Sequence, residues 1–206
     1  MAQNYAKNVQ NLTVERKADQ ENSPVTEADR AIDALLKDIL CNAQPDYGWL
    51  SEESEDDPSR LNKEAVWIVD SIDGTSAFIR GSNDFAISAA LAVEGAVVAG
   101  AVCLPMRNTI ITATAKGGVQ IIGADLPQWT PQACLLSFHE YRDGDVEQKM
   151  FLPEWELVPF ASAAAKMALV GAGAAGATVQ RRPKSEWDVA AGDIICRVAG
   201  LKVSDV

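Results

Sequence analysis

The apolar residues change period several times along the chain, and each change marks an element. Residues 1–22 form a polar lead-in, read as partly helical. In SPVTEADRAIDALLKDILCNA, Ala28, Ile32, Leu35, Leu36 and Ile39 recur at helical spacing, which predicts an amphipathic helix. Thr26 stands where an N-cap belongs, and Asp29 follows three residues on, as in a capping box. YGWL predicts a short strand running into the acidic loop SEESEDDPSRLNKE. The apolar run AVWIVD predicts a buried strand, and GTSAFIRG a short helix after a turn.

The segment FAISAALAVEGAVVAGAVCLPMRNTIITATAKGGV reads as three strands of an antiparallel meander. Its turns fall at Glu94-Gly95 and at 105–108. ACLLSF and WELVPFA follow as strands, SAAAKMALVGAGAAG as an alanine-rich helix and ATVQRR as a short strand. KSEWDVAAGDIICRVAG is a last helix with Ser185 as N-cap and Asp188 at its third position. This order predicts a layered α/β or α+β architecture. It divides into an α+β half over 1–125 and an α/β half over 126–206, forming one functional unit with the site between them.

The chain has 206 residues, 48% hydrophobic and 23% charged, which is globular rather than disordered composition. A chain of this size buries roughly 70% of its unfolded surface and needs no staples. The net charge is −11. An acidic surface argues against a nucleic-acid groove or an anionic membrane as partner. It leaves room for an anionic substrate, because metal ions invert the local sign. Cys41, Cys103, Cys134 and Cys196 show no CxxC pair or zinc spacing, and read as free thiols in a reducing compartment. The single histidine, His139, has no cysteine nearby and reads as structural or surface, which argues against Ser-His-Asp or Cys-His catalysis. The N-terminus lacks the apolar core of a signal peptide. The most apolar window, 85–102, is broken by Glu94, Gly95 and Gly100, so it reads as paired strands and not a membrane span. The expected location is cytoplasmic.

Acids stand where apolar structure stops or starts. Glu52-Glu53 follow YGWL, Asp70 and Asp73 follow AVWIV, and Asp29 and Asp188 open helices. Singly, each has a plain reading as a dipole-favoured helix acid, a cap or a solvated loop. As a set they suit hard divalent cations, which take carboxylate and carbonyl oxygens. Asp70 at a strand end and Asp73 after a one-residue bend could face one point, with the Ile72 carbonyl between them. An EF-hand is excluded, since Ile72 occupies the third loop position. Gly74-Thr75-Ser76 adds N–H groups at a helix start, suited to phosphate, and Gly74 lets the backbone approach closely. Metals beside a phosphate cradle imply metal-assisted phosphoryl transfer to water.

These stretches resemble the inositol monophosphatase superfamily. WIVDSIDGTSAFIRG is similar to its first signature and EWDVAAGD to its second, while SPVTEAD and LSEES match two further landmarks in the right order. The resemblance runs from about Lys17 onward. It implies a Mg2+-dependent, lithium-sensitive phosphatase with a layered αβαβα fold and two or three ions, with Mn2+ or Ca2+ able to substitute. By position, Glu52, Asp70 and the Ile72 carbonyl would hold the first metal, and Asp70, Asp73 and Asp188 the second. Thr75 would orient the attacking water, with Asp29 behind it, and the N–H groups of Gly74 and Thr75 would hold phosphate. A threonine hydroxyl is too weak an acid to be a strong base. It relays or aims a proton that Glu52 or Asp29 takes.

RRPKSEWD and GTSAFIRG resemble the bacterial 3′(2′),5′-bisphosphate nucleotidase branch. Arg181 stands six before Trp187, where inositol monophosphatases carry an acid. A guanidinium there suits a second phosphate, with Lys184 a further candidate. The expected substrate is adenosine 3′,5′-bisphosphate, with inositol phosphate as the alternative. Two departures stand out. Ser71 replaces the family's proline, which predicts looser metal geometry and weaker metal binding. Both ends read as short against the family, which would leave a sheet edge and a helix face uncovered and favours a homodimer. A binding-only relative and an acidic Ca2+ module are the rival classes.

Overall fold

The structure, a computed structural model, describes residues 1–17, 24–123, 126–138 and 154–204. His139 lies outside them. The described helices are α1 (Ala2–Lys7), α2 (Glu27–Ala43), α3 (Thr75–Ile79), α4 (Ala163–Gly171) and α5 (Glu186–Val198). The strands are β1 (Val14–Arg16), β2 (Pro24–Thr26), β3 (Gly48–Ser51), β4 (Ala65–Asp73), β5 (Ala86–Val93), β6 (Ala96–Leu104), β7 (Thr109–Thr114), β8 (Gly118–Ile122), β9 (Ala133–Leu136), β10 (Glu156–Pro159) and β11 (Ala177–Thr178).

Strands β3 to β8 form one six-stranded sheet in sequence order, with β3–β4 parallel and every later pair antiparallel. Strands β10-β9-β11 form a second, parallel sheet, and β1 pairs with β2. The result is the layered α+β sandwich expected from the sequence. The meander carries one more strand than expected, because β8 pairs with β7 through Gly118–Ile122. The turn at Glu94-Gly95 is confirmed by positive φ at both residues (49° and 78°), the geometry of a tight hairpin.

Each face of the large sheet has its own core. On one face Ile68, Ala86, Ala90, Val102 and Ile111 pack with Ala164, Ala165, Ala168 and Leu169 of α4 and Ala190, Ala191 and Ile195 of α5. On the other, Ile72 packs with Ala2, Ala28, Ile32, Phe78 and Phe85. Helix α5 approaches the sheet closely because glycines line its path. A Cβ on Gly100 would lie 2.9 Å from the Ala191 Cα, and one on Gly192 would lie 2.5 Å from the Met167 Cβ of α4. Small residues on both sides therefore fix the depth of α5, and with it the position of Asp188.

Helix α4 is shorter than the alanine-rich run suggested, ending at Gly171 before Gly173 adopts a φ of 76°. The ATVQRR strand pairs only at Ala177–Thr178. Residues 179–185 form an irregular connection to α5.

Candidate metal and phosphate centre

Strand β4 does not end at Asp70, as its apolar run implied, but continues through Asp73. Side chains alternate faces along a strand, so residues three apart should point to opposite sides. Here Asp70 pairs with Ser88 and Asp73 with Ala86, so β4 advances three residues while β5 advances two. That extra residue is a β-bulge. It turns Asp73 onto the face of Asp70 and sends Ile72 into the opposite core. The start of α5 meets the same point. Ser185 caps it, with its amide donating to Asp188 Oδ2 at 2.8 Å, and the Ser88 hydroxyl donates to the Trp187 carbonyl at 3.3 Å. Asp70, Asp73 and Asp188 thus bring ligand oxygens within 4.8 Å of one another.

The hydrogen bonding of this triad is incomplete in an informative way. Asp70 Oδ1 accepts from the Ile72 amide at 3.0 Å, whereas its Oδ2 is buried with no hydrogen-bond partner. Asp73 Oδ2 is held by the Ser162 hydroxyl at 2.6 Å and the Ala164 amide at 2.5 Å. Burial pushes the Asp70 carboxyl well above its ordinary range, and the charges of Asp73, Glu52 and Asp188 push the same way. Burial and the Asp188 charge raise Asp73 to about 6, against the lowering effect of its bonds to Ser162 and Ala164 and of the Lys184 charge. Buried carboxylates with an orphaned oxygen between them fit a hard divalent cation, which supplies the missing charge and takes oxygen donors.

Beside the triad, Thr26 and Asp29 form the expected capping box. Asp29 Oδ2 accepts from the Thr26 amide and hydroxyl at 2.7 and 2.5 Å, leaving Oδ1 to face the Thr75 hydroxyl at 3.2 Å. Thr75 Oγ1 also lies 3.0 Å from the Ile72 carbonyl. Burial raises the Asp29 carboxyl despite its bonds to Thr26 and Thr75. Gly74 holds a φ of 95°, and a Cβ there would lie 3.2 Å from the Asp84 carbonyl and 3.6 Å from the Ser162 Cα. The backbone conformation favours glycine, and a side chain would press on the Asp84 carbonyl. Thr75 is half-buried and Ser76 exposed at the start of α3.

Glu52 stands outside the close triad. Its carboxylate pairs with Lys17 Nζ at 3.1 Å, and Lys17 also meets Glu53 at 2.8 Å. Burial raises both glutamates, while Lys17 opposes the rise. Arg181 and Lys184 lie exposed in the 179–185 connection. The Lys184 charge reaches Asp73. Sequence reasoning missed Lys17, Ser162 and the buried Lys166, which sits on α4 four residues after Ser162. Ser162 had a signal, since a serine directly before an alanine-rich run is an N-cap, and its hydroxyl does accept from the Ala165 amide at 3.0 Å. Ser71 is buried in the bulge with an unpartnered hydroxyl, in a strand and not in the turn that a proline would stiffen.

The family model described as the inositol monophosphatase family matches residues 1–206. The chain is similar to the 3′(2′),5′-bisphosphate nucleotidase CysQ of Shigella flexneri, 31% identical over 212 residues, covering 94% of this chain and 80% of that protein. It is also similar to the Nus factor SuhB of Escherichia coli (strain K12), 30% identical over 197 residues, covering 89% of this chain and 72% of that one. Among solved structures, extragenic suppressor protein suhB from Bartonella henselae superposes with a TM-score of 0.80 at 27% identity, over 97% of this chain and 79% of that chain.

Proposed function

The chain belongs to the inositol monophosphatase family of metal-dependent phosphomonoester hydrolases, and we propose that it hydrolyses the 3′-phosphate of adenosine 3′,5′-bisphosphate. The observation that carries a hydrolytic reading is the triad of buried Asp70 and Asp73 with half-buried Asp188, with its orphaned Asp70 Oδ2, beside the Thr75–Asp29 pair. We assign Glu52, Asp70 and the Ile72 carbonyl to one ion and Asp70, Asp73 and Asp188 to a second. The ions are two or three Mg2+, with Mn2+ or Ca2+ able to substitute. When bound, they lower the pKa of a water and neutralise charge on the leaving oxygen.

The protein's own part is positional. Thr75 Oγ1 has one proton and two acceptors around it, Asp29 Oδ1 and the Ile72 carbonyl. Its lone pairs are therefore free to take a hydrogen bond from an incoming water. The proton passes from water to Thr75 Oγ1 and from Thr75 to Asp29 Oδ1. Burial makes Asp29 a better base than an ordinary carboxylate. Glu52 is the less suitable base because Lys17 holds it. The N–H groups of Gly74, Thr75 and Ser76 cradle the phosphate, and Lys184 and Arg181 meet the second phosphate.

The nucleotidase relative, matching 94% of this chain, supports the bisphosphate reading. Contacts such as Ser162 to Asp73 support a site between the 1–125 and 126–206 halves. Four cysteines outside any disulfide support a reducing, cytoplasmic setting. Among the described residues no helix is long and apolar enough to cross a membrane. Exposed Ile121 and Ile122 on edge strand β8 support a homodimer, which sedimentation tests.

The deciding experiment measures phosphate release from adenosine 3′,5′-bisphosphate and from inositol 1-phosphate, with Mg2+ and with added Li+. The expected result is faster release from the bisphosphate, inhibited by Li+. A preference for the inositol substrate overturns the substrate assignment. No release from either by folded protein leaves a binding-only relative.

A further inference from the structure

Helix α2 carries two buried carboxylates one turn apart, and the mechanism above uses only Asp29. The other, Asp33, is 6% exposed. Residues four apart share a helix face, so both look onto the same side of the site. Asp33 Oδ1 accepts from the Ser51 hydroxyl, and its Oδ2 accepts from the Ser54 hydroxyl at 2.9 Å. Each hydroxyl is used a second time. Ser51 Oγ accepts from the Glu53 amide at 3.2 Å, and Ser54 Oγ accepts from Trp49 Nε1 at 3.2 Å.

One buried carboxylate therefore fastens both ends of the 51–54 turn, and Glu52 and Glu53 stand between the two fastenings. From the other side Lys17 Nζ donates to the Glu52 carbonyl at 3.1 Å as well as to both glutamate carboxylates. Packing alone does not call for an aspartate here. A buried carboxylate is costly unless it is fully hydrogen-bonded, and an apolar residue would fill the same helix face.

We infer that Asp33 is a positioning residue for Glu52, holding the 51–54 turn so that the Glu52 carboxylate is presented to the metal site. Asp29 sets Thr75 and Asp33 sets Glu52, so α2 registers the proton acceptor and a metal ligand against each other. The inference rests on the reading of Glu52 as a ligand.

The test uses the full chain, metal-free, with Asp33→Asn, Glu52→Gln and the double variant, titrated with Mn2+ by calorimetry. The Asn amide donates where the Ser54 hydroxyl needs an acceptor. Partners behind metal ligands typically change metal affinity by about 10–100-fold. The expected results are at least about tenfold weaker Mn2+ binding in Asp33→Asn, faster amide exchange at 52–54 in the metal-free protein, and no further loss on the Glu52→Gln background. Unchanged Mn2+ affinity in Asp33→Asn overturns the inference, and so does an equal loss with Gln at position 52, which would mark a general structural role. Wild-type affinity in Glu52→Gln alone overturns the ligand reading itself. If Asp33→Asn does not fold, Ser54→Ala removes one fastening from outside the helix and is expected to weaken Mn2+ binding in the same direction; no change there overturns the inference.

Discussion

Replacing Asp73 by asparagine should stabilise the metal-free protein while destroying its metal site. The folded Asp73 carboxyl holds its proton up to about 6, against an ordinary 3.8. Its charged form is therefore disfavoured in the fold relative to the unfolded chain. The penalty is absent below about pH 4, grows as pH rises from about 4 to 6, and is complete above that range. At 1.36 kcal/mol per pKa unit it amounts to about 3 kcal/mol near neutral pH. Asparagine keeps an oxygen where the Ser162 hydroxyl and Ala164 amide donate, so the turn into α4 retains its anchor. It also removes one of the charges that raise Asp70. Urea unfolding of the metal-free proteins at pH 5 and pH 8 measures the effect. The variant should be more stable than the wild type at pH 8 by about 3 kcal/mol, with the difference shrinking towards pH 4. With saturating Mg2+ the order should reverse, since only the wild type gains from binding. A metal-free variant less stable than wild type at pH 8 would refute the electrostatic account, leaving Asp73 as a net structural anchor.

Other expectations can be checked alongside. Ser71→Ala removes a buried hydroxyl that has no partner, and thermal or urea unfolding should show a gain of about 1–3 kcal/mol. Gly100→Ala places a Cβ 2.9 Å from the Ala191 Cα; this overpacking should cost about 1–3 kcal/mol, and by lifting α5 it should weaken Mn2+ binding as measured by calorimetry. Asp70→Asn should abolish phosphate release while circular dichroism and melting show an intact fold, since the orphaned oxygen serves the site and not the core. Thr75→Ala should lower kcat with little change in Mn2+ affinity, whereas Thr75→Ser should restore most of the rate.

Much of the site was legible because its acids sit at element boundaries, where caps leave sequence signatures. The Thr26–Asp29 and Ser185–Asp188 boxes were readable from spacing alone, and both are present. A one-residue bend before Asp73 was legible, but its form as a bulge inside a continuing strand was not. Strand periodicity places Asp70 and Asp73 on opposite faces, and only the pairing of β4 with β5 shows that an extra residue is inserted. Asp33 was hidden for a different reason: a single acid in an amphipathic helix looks like part of the wet face, and its partners Ser51 and Ser54 are 18 and 21 residues away. Strand β8 was overlooked because its five residues are mostly exposed and carry little alternation. ATVQRR has the β-branched start of a strand, but Pro183 follows, and pairing stops at Thr178.

The distance in sequence between the triad's members has a consequence in time. Asp70 and Asp188 are 118 residues apart. At about 5–20 residues per second of synthesis, the ribosome takes about 6–24 s to add the third carboxylate after the first. Throughout that interval the β4 strand carries two acids whose closure partner does not yet exist. A nascent chain has no route to early capture of the ion through this triad. Loading of the ion assigned to Asp70, Asp73 and Asp188 is therefore a late event, unlike that of the ion assigned to Glu52, Asp70 and the Ile72 carbonyl, and it reports that distant parts of the chain have already found each other.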